Sequence, residues 1–278
     1  DMRVEHWTNA AEQGAAAAGR AVKIPAKVSR VFPAGPPASI LLYTLAPDLL
    51  IGWARANRPE ECAYMLPYIC TRPEVGRITG RGNTANLETV LALKPDLILD
   101  VGATSATFVS LADRVQEQTS IPYALLDGRF ASIAATYRTL GTLIGRADDA
   151  EKLARYAEET LKTILGRIEP VAASDRPKVY YARGPRGLST GLGGSINVET
   201  IEMLGRNVAG ETQGGLANVS IEQVLVWNPD VIITIDQEFA ATVRNDRSWA
   251  AVKAVRDNRI HLSPKKPFGW VDFPPSVN

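Results

Sequence analysis

One segment of the chain occurs twice. Residues 86–102 read NLETVLALKPDLILDVG, and residues 220–236 read SIEQVLVWNPDVIITID. Glu88 and Glu222 lie 134 residues apart, and the other matching residues keep this offset. A segment that occurs only twice, with a long period, predicts two similar domains rather than a solenoid.

Apolar strands and helices alternate within each half. The runs DLILDVG and DVIITID are continuous and apolar, as in strands of a parallel sheet that is buried on both faces. Each run follows a short helix that a proline ends. We also predict strands at KVSRVFPAG, DLLIGWA, RITG, IPYALLD, KVYYARG and RIHLSP, and helices at PASILLYTLA, VSLADRVQEQT, VETIEMLGRNVAG and WAAVKAVRDN. This alternation predicts an α/β fold class with mostly parallel sheets.

The longest helical pattern lies between the two halves. A helix over FASIAATYRTLGTLIG is predicted to end at Gly145, and Asp148 is predicted to be the N-cap of the next helix. That next helix has an apolar stripe at Leu153, Tyr156 or Ala157, Leu161, Ile164 and Ile168. Some 20 residues of helix span about 30 Å, enough to act as a strut. The predicted domains are an N-terminal lobe over residues 1–145 (with a tail over 1–19), a connecting helix over 146–169 and a C-terminal lobe over 170–278.

Composition excludes several classes of protein. The net charge is +1, so nothing favours nucleic acid or a membrane surface as a bulk partner. No apolar run approaches the roughly 20 residues of a membrane span. The two histidines are far apart, and no cluster of His, Cys and carboxylates indicates a metal site or a resident cofactor. Cys62 and Cys70 form either a disulfide or two buried thiols.

A catalytic reading finds little support in the motifs. The stretch GLSTGLGGS follows a predicted strand, but Ile196 stands where the dinucleotide fingerprint needs its third glycine. The nucleophile elbow G-x-S-x-G is also absent. The glycines are more simply explained by a backbone that approaches a ligand closely. An enzyme on a nucleotide-binding-like fold and a pure interaction module remain as remote alternatives.

Three segments resemble one family. NLETVLALKPDLIL is similar to the N-lobe signature of the metal-chelate class of ABC-importer solute-binding proteins, IPAKVSRVF resembles its opening strand, and FGWVDFPPSVN resembles a segment near its C-terminus. The resemblance covers roughly Val22 to Asn278. It implies two Rossmann-like lobes joined by one long interlobe helix. It also implies a periplasmic or extracytoplasmic location, with a lipid anchor left open.

The resemblance gives the repeated glutamates a role. In this family each lobe carries one glutamate that docks onto arginine pockets of the permease dimer, and the matching positions here are Glu88 and Glu222. Charged pairs of this kind set orientation and association rate more than affinity. The alternative is structural, because a glutamate in the first turn of a helix is favoured by the helix dipole. Asn86 and Ser220 are suitable N-caps for both helices.

Ligand contacts are expected in the crevice between the lobes, at the carboxyl ends of the strands. The loop FPAGPPAS leads into a helix N-terminus, where backbone N–H groups can meet an anion. Cations and tryptophans follow other strands, and arginine suits carboxylate or phosphate-like oxygens. The predicted ligand-binding residues are Gly35, Pro36, Trp53, Arg81, Arg183, Arg186, Lys265 and Trp270.

The ligand class stays open at this stage. A ferric chelate needs a wide, aromatic-lined cleft, whereas molybdate or tungstate needs a small pocket of converging N–H groups. We favour an anionic iron(III) chelate of the siderophore type, with the oxyanions as the alternative. Haem ranks lower, since no axial tyrosine or histidine is evident at a cleft position, and cobalamin also ranks lower. The expected partners are a permease dimer and a small-molecule chelate or oxyanion, and not nucleic acid.

Overall fold

The computed structural model describes residues 22–79 and 85–271. The described chain divides into two compact units, with the boundary between Thr160 and Leu161. We call the part before this boundary unit 1 and the part after it unit 2. Both units are mixed α/β, as the sequence predicts.

Unit 1 is built on a parallel three-stranded sheet in the order β1-β2-β3. Its strands are β1 (Val31–Pro33), β2 (Leu97–Gly102) and β3 (Tyr123–Asp127). Its helices are α1 (Pro36–Leu45), α2 (Pro59–Cys62), α3 (Pro67–Cys70), α4 (Leu87–Ala92), α5 (Ala106–Thr119) and α6 (Ile133–Ile144), followed by the start of α7 (Ala147–Ile168). Ile98 lies opposite Phe32 on one side and Tyr123 on the other, and all three are fully buried. Burial on both faces explains why β2 is a continuous apolar run.

Helix α7 crosses the boundary between the units. It begins at Ala147, so Asp148 lies in its first turn and the prediction that Asp148 is the N-cap was wrong. The preceding helix ends as predicted at Gly145, whose φ is 70°.

The buried stripe of α7 differs from the prediction. Its buried residues are Ala150, Ala154 and Ala157, while Tyr156 is exposed. A Cβ added at Gly141 on α6 would lie 2.2 Å from the Cβ of Ala150. Small residues therefore let α6 and α7 approach closely, and larger apolar side chains do not fit at this contact.

An ion-pair network also joins α6 to α7. Arg138 donates from Nε to Glu151 at 2.7 Å and from a terminal guanidinium nitrogen to Glu158 at 2.5 Å. The hydrogen bonds from Arg138 and Arg155 lower the pKa of Glu151 to about 2. These four side chains are between 38% and 70% exposed, so solvent screens the pairs and their main effect is on orientation.

Unit 2 repeats this plan, with one more strand in its main sheet and a separate two-stranded pair. Its strands are β4 (Lys178–Ala182), β5 (Ser189–Gly191), β6 (Arg206–Asn207), β7 (Leu216–Asn218), β8 (Val231–Thr234) and β9 (Ile260–Leu262). Its helices are the end of α7, α8 (Glu199–Leu204), α9 (Ile221–Trp227), α10 (Gln237–Thr242) and α11 (Lys253–Arg256). The main sheet is parallel in the order β6-β4-β8-β9, and β5 pairs antiparallel with β7. Tyr180, Phe239 and Trp249 dominate its core.

The repeat found in the sequence is also a repeat in structure. Asn86 and Ser220 both cap their helices, accepting hydrogen bonds from the backbone N–H of the third helical residue. Helices α4 and α9 then lead into the equivalent strands β2 and β8. Lys94 and Asn228 both have a left-handed backbone, with φ values of 47° and 43°. The two halves therefore share their backbone turns as well as their sequence.

Four predicted elements are corrected. DLLIGWA forms only isolated bridges, at Leu50 and Trp53, and the described part of RITG, residues 77–79, contains no strand. The helix expected over VETIEMLGRNVAG stops at Leu204, because the chain then pairs with β4 as strand β6. The helix expected over WAAVKAVRDN is only α11, and turns replace its first half. In each case the tertiary context overrides a local pattern.

The described residues contain neither a helix suited to crossing a membrane nor a group of side chains suited to a metal ion. None of their helices combines the length and the apolar character that crossing a membrane requires. None of their His, Cys, Asp and Glu side chains forms a group of three or more suited to a metal ion.

Candidate functional site

The carboxyl ends of three strands meet at one edge of the unit 2 sheet. Ala182, Thr234 and Leu262 lie side by side in the register of β4, β8 and β9. The segments that follow these strands carry Arg183 and Lys265, two of the predicted ligand contacts. The sheet therefore directs both cationic segments to its carboxyl edge, as the alternation of strands and helices predicts.

The loop from Arg183 to Ser189 is held rigidly. Arg183 and Ser189 exchange backbone hydrogen bonds of 2.8 and 3.2 Å. The Tyr180 hydroxyl donates to the Gly187 carbonyl at 2.8 Å. At Gly187 φ is 68°, and an added Cβ would lie 2.3 Å from the Phe239 ring. The positive φ and the nearby ring favour glycine at this position, and the hydrogen bonds hold the loop against β4.

The two arginines of this loop differ in exposure. Arg183 is partly buried, with its guanidinium carbon 5.7 Å from the centre of the Tyr181 ring. Arg186 lies at the exposed tip of the loop. The ring fixes the direction of Arg183, whereas Arg186 is available to an incoming anion.

The segment after β9 supplies the other predicted contacts of unit 2. The Ser263 N–H donates to the Thr234 carbonyl at 2.7 Å, which holds the start of this segment against β8. Lys265 is exposed, and Trp270 is 51% exposed. An indole this exposed offers an apolar wall that the fold does not use.

In unit 1 the loop after β1 is tightly packed. The Ala34 N–H donates to the Leu99 carbonyl at 2.8 Å. Gly35 is buried, and an added Cβ would lie 2.8 Å from the Thr79 hydroxyl. Pro36 and Pro37 are the first residues of α1 and have no N–H. Two N–H groups are therefore missing from this helix start, and the expectation that Gly35 and Pro36 contact the ligand stays a prediction.

Beneath this loop lies a buried carboxyl group. Asp100 accepts hydrogen bonds from the Tyr123 hydroxyl at 3.0 Å, the Thr79 hydroxyl at 3.2 Å and the Val101 N–H at 3.0 Å. The Thr79 hydroxyl also lies 3.1 Å from the Ala34 carbonyl. Burial raises the pKa of Asp100, and the hydrogen bonds from Tyr123 and Thr79 oppose that shift only in part. The network fixes the loop after β1 against β2.

Two of the predicted ligand contacts, Trp53 and Arg81, are not supported as contacts by the described structure. Trp53 is only 3% exposed, packs on Tyr43 and donates its indole N–H to the Ile69 carbonyl at 2.8 Å. It therefore serves the core of unit 1, and we leave it out of the proposed contacts. Arg81 lies outside the described residues.

Arg129 is not among the contacts predicted from the sequence. This exposed side chain follows β3, so it lies at the carboxyl edge of the unit 1 sheet. Its Nε donates to both oxygens of Asp127 at 2.9 Å. The position after a strand was the available signal. Since Asp127 compensates the charge of Arg129, it suits a hydrogen-bonding role better than capture of an anion.

Glu88 and Glu222 occupy matching places. Each is exposed in the first turn of a short helix, α4 or α9. The pKa of Glu222 is lowered by a hydrogen bond from its own backbone N–H and then by the Ser220 hydroxyl. The negative charge of Glu222 is thus maintained at one surface of its unit.

The open question about the cysteines is settled. Cys62 and Cys70 form a disulfide that joins α2 to α3, with their Cα atoms 5.5 Å apart. A structural disulfide is typical of proteins that fold in an oxidising compartment.

Comparison with known proteins agrees with this architecture. The ABC transporter solute binding protein from Sulfurospirillum deleyianum has a solved structure with a TM-score of 0.83 and 29% identity, covering 92% of this chain and 81% of that one. The molybdate-binding protein MolA of Haemophilus influenzae is 26% identical over 225 residues, which are 73% of this chain and 64% of MolA. The ABC transporter substrate-binding lipoprotein YvrC of Bacillus subtilis is 26% identical over 196 residues, which are 68% of this chain and 61% of YvrC.

The chain therefore spans less than two thirds of the length of MolA and of YvrC. A family model described as periplasmic binding protein matches residues 41–267. Because this match covers far more than half of the chain, the protein belongs to the periplasmic binding protein family.

Proposed function

We propose that this protein is the solute-binding component of an ABC importer and captures an anionic iron(III) chelate of the siderophore type. The supporting observation is the carboxyl edge of the unit 2 sheet, where Arg183, Arg186 and Lys265 follow the strands. Trp270, on the segment after β9, adds an exposed apolar surface. Cations and an exposed indole together suit a ligand that is both anionic and large. The expectation that the ligand lies between the lobes stays a prediction.

Molybdate or tungstate is the second candidate. The similarity to the molybdate-binding protein MolA favours it. The geometry of unit 1 favours it less, because an oxyanion is best held by converging N–H groups, and Pro36 and Pro37 remove two of these from the start of α1. We therefore rank the oxyanions below the iron chelate.

A ligand panel separates the two candidates. Purified, ligand-stripped protein is heated with a ferric siderophore, ferric citrate, molybdate, tungstate, haem or cobalamin in turn. A ligand at 100 times its Kd raises the free energy of unfolding by about 2.7 kcal/mol, which gives a clear increase in Tm. We expect the increase with the ferric chelates. An increase with molybdate or tungstate alone would replace the first candidate by the second.

The role of Arg186 is tested by a matched pair of variants. Arg186→Ala is expected to weaken binding of the ferric chelate about tenfold in calorimetric titration, as for loss of one charge-assisted contact. Arg247→Ala removes another exposed arginine of unit 2, away from the sheet edge, and should leave the affinity unchanged. Equal affinities for both variants would remove Arg186 from the site.

We further propose that Glu88 and Glu222 dock the loaded protein onto a permease dimer outside the cytoplasm. One exposed carboxylate on each unit suits a partner that presents two equivalent cationic pockets. Glu88→Lys combined with Glu222→Lys should abolish uptake of the radiolabelled ligand while its Kd stays the same. Glu117→Lys combined with Asp257→Lys makes the same charge change at other exposed acidic residues, one in each unit, and should retain uptake. Uptake by the first double variant would refute the docking role.

A further inference from the structure

The structure explains most of the residues that the repeat keeps identical. Six residue pairs are identical between residues 86–102 and 220–236. Two of these pairs, Val90 with Val224 and Ile98 with Ile232, have no exposed surface and belong to the two cores. Packing alone accounts for their identity.

Backbone geometry explains two more pairs. Pro95 and Pro229 are buried where the helices end. The next residue, Asp96 or Asp230, joins the strand start to the neighbouring strand. Asp96 accepts from the Arg30 N–H at 2.9 Å, and Asp230 accepts from the Lys178 N–H at 2.8 Å. These identities preserve the fold of each unit.

The two remaining pairs are exposed. They are Glu88 with Glu222, and Leu91 with Leu225. Leu91 is 44% exposed and Leu225 is 37% exposed, so neither completes a core. Each leucine follows its glutamate by three residues, which places both on one helix face. The same acidic and apolar pair is thus presented once on α4 and once on α9.

We infer that Leu91 and Leu225 are apolar docking contacts for the permease, working beside the two glutamates. This inference rests on the proposed function. The expected permease surface is an apolar pocket that is flanked by a guanidinium group and present in two copies. Since neither leucine belongs to the hydrophobic core clusters of its unit, the repetition of an exposed leucine beside an exposed carboxylate supports a duplicated partner surface. Val226, which is 78% exposed, extends the apolar surface of α9.

The two residue types have different kinetic roles. The carboxylates act over a distance, so their loss slows association and reduces its salt dependence. The leucines act only after contact, by excluding water from the buried charge pairs, so their loss speeds dissociation. A rate measurement therefore separates the leucine contacts from the glutamate contacts.

The test measures binding of the ligand-loaded protein to the importer's purified permease–ATPase complex in nanodiscs, by interferometry at low and high salt. Leu91→Asn combined with Leu225→Asn is expected to raise the dissociation rate about fivefold for each leucine, with an unchanged association rate. The matched control is Leu165→Asn combined with Leu204→Asn, which alters leucines that are 45% and 42% exposed outside the repeat. This control should dissociate like the wild-type protein.

The outcomes distinguish the inference from the function on which it rests. If the leucine variant dissociates like wild type while Glu88→Gln with Glu222→Gln slows association, the leucines have no docking role and the proposed function stands. If neither double variant differs from wild type, the docking proposal itself fails. Light scattering gives a third arm. A wild-type dimer that the leucine variant converts to monomers would overturn the inference by assigning the leucines to self-association.

Discussion

At the scale of single residues, Asp100 is a carboxyl group in an environment far from that of water. Its carboxyl group lies between β1, β2 and β3 and is bonded to two hydroxyls and one N–H. A buried carboxylate without a compensating charge is costly, which is why its pKa rises. The protonated form also suits the geometry. The Thr79 hydroxyl has a single hydrogen and lies within hydrogen-bonding distance of both Asp100 and the Ala34 carbonyl. When Asp100 is protonated, its O–H can donate to Thr79, and the Thr79 hydrogen is then left for the Ala34 carbonyl.

We therefore predict a pH-dependent contribution from Asp100 to stability. Its folded pKa lies above the unfolded value of 3.8. Below pH 3.8 both states hold the proton and the contribution is fully present. As the pH rises towards the folded pKa, only the unfolded state loses its proton, so the free energy of unfolding falls. Asp100→Asn, which stays neutral, should gain stability relative to wild type across this interval.

The comparison is made by urea unfolding at a series of pH values. Other carboxyl groups have the opposite sign. The pKa of Asp230, for example, is lowered mainly by a hydrogen bond from Lys253, so its contribution is lost as the pH falls. Such groups contribute equally to both proteins, so they cancel when the free energy of unfolding of wild type is subtracted from that of Asp100→Asn at each pH. A difference that does not vary with pH would contradict the prediction.

Two glycines of the loop after β4 allow a second residue-scale prediction. Gly184 and Gly187 have similar φ values, 75° and 68°, but only Gly187 lies against another side chain, that of Phe239. Gly184→Ala should cost about 1 kcal/mol of stability, from backbone strain alone. Gly187→Ala adds a clash with a buried ring and should cost about 2–4 kcal/mol. Thermal unfolding of the two variants gives both values. Equal losses of stability would show that the Phe239 ring moves aside without a measurable loss of free energy.

At the scale of elements, the disulfide compensates for the small size of α2 and α3. Each helix has four residues, too few to be stable alone. The bond closes a loop with a sequence separation of 8, for which the chain-entropy relation gives about 2.5 kcal/mol. Cys62→Ser combined with Cys70→Ser should lower the free energy of unfolding by about this amount. Chemical reduction of the wild-type protein should have a similar effect, and a loss below about 0.5 kcal/mol would exclude a structural role.

The elements that were easiest to predict from the sequence are those that are most buried. β2 and β8 were evident from the sequence, since a strand that is buried on both faces is apolar throughout. The helix start signals at Asn86 and Ser220 were also readable, because a cap is a local interaction. The run DLLIGWA has the same apolar character, yet its side chains pack on the core without a partner strand along most of its length. Strand pairing is not a local property, so the sequence did not reveal this difference.

The candidate site was also predictable only where a local feature of the sequence determines a residue's position. The sheet edge predicts where Arg183 and Lys265 lie, because each follows a strand of known order. The sequence could not distinguish the buried indole of Trp53 from the exposed indole of Trp270, since both are placed after a predicted strand. Only the packing of Tyr43 and the Ile69 carbonyl against Trp53 decides its role.

At the scale of the whole molecule, the duplication is the dominant feature. Leu50 forms one bridge to β1, just as β6 pairs with β4, so both sheets have the same order around their central strands. The two units share strand order, helix caps and the tight turn between helix and strand. Their surfaces agree only at Glu88 with Glu222 and at Leu91 with Leu225 among the identical pairs.

The shared turn leads to a final prediction. Lys94 and Asn228 adopt the same left-handed conformation, which asparagine accepts readily and lysine accepts at a cost of about 1 kcal/mol. Lys94→Asn should therefore raise the free energy of unfolding by about 0.5–1 kcal/mol in a urea titration. The reverse change, Asn228→Lys, should lower it by at least as much, because it also removes a hydrogen bond from the Lys253 N–H. If the two changes have opposite signs, the residue in one unit predicts a stabilising substitution at the matching position of the other unit. The internal repeat would then identify stabilising substitutions from this one sequence.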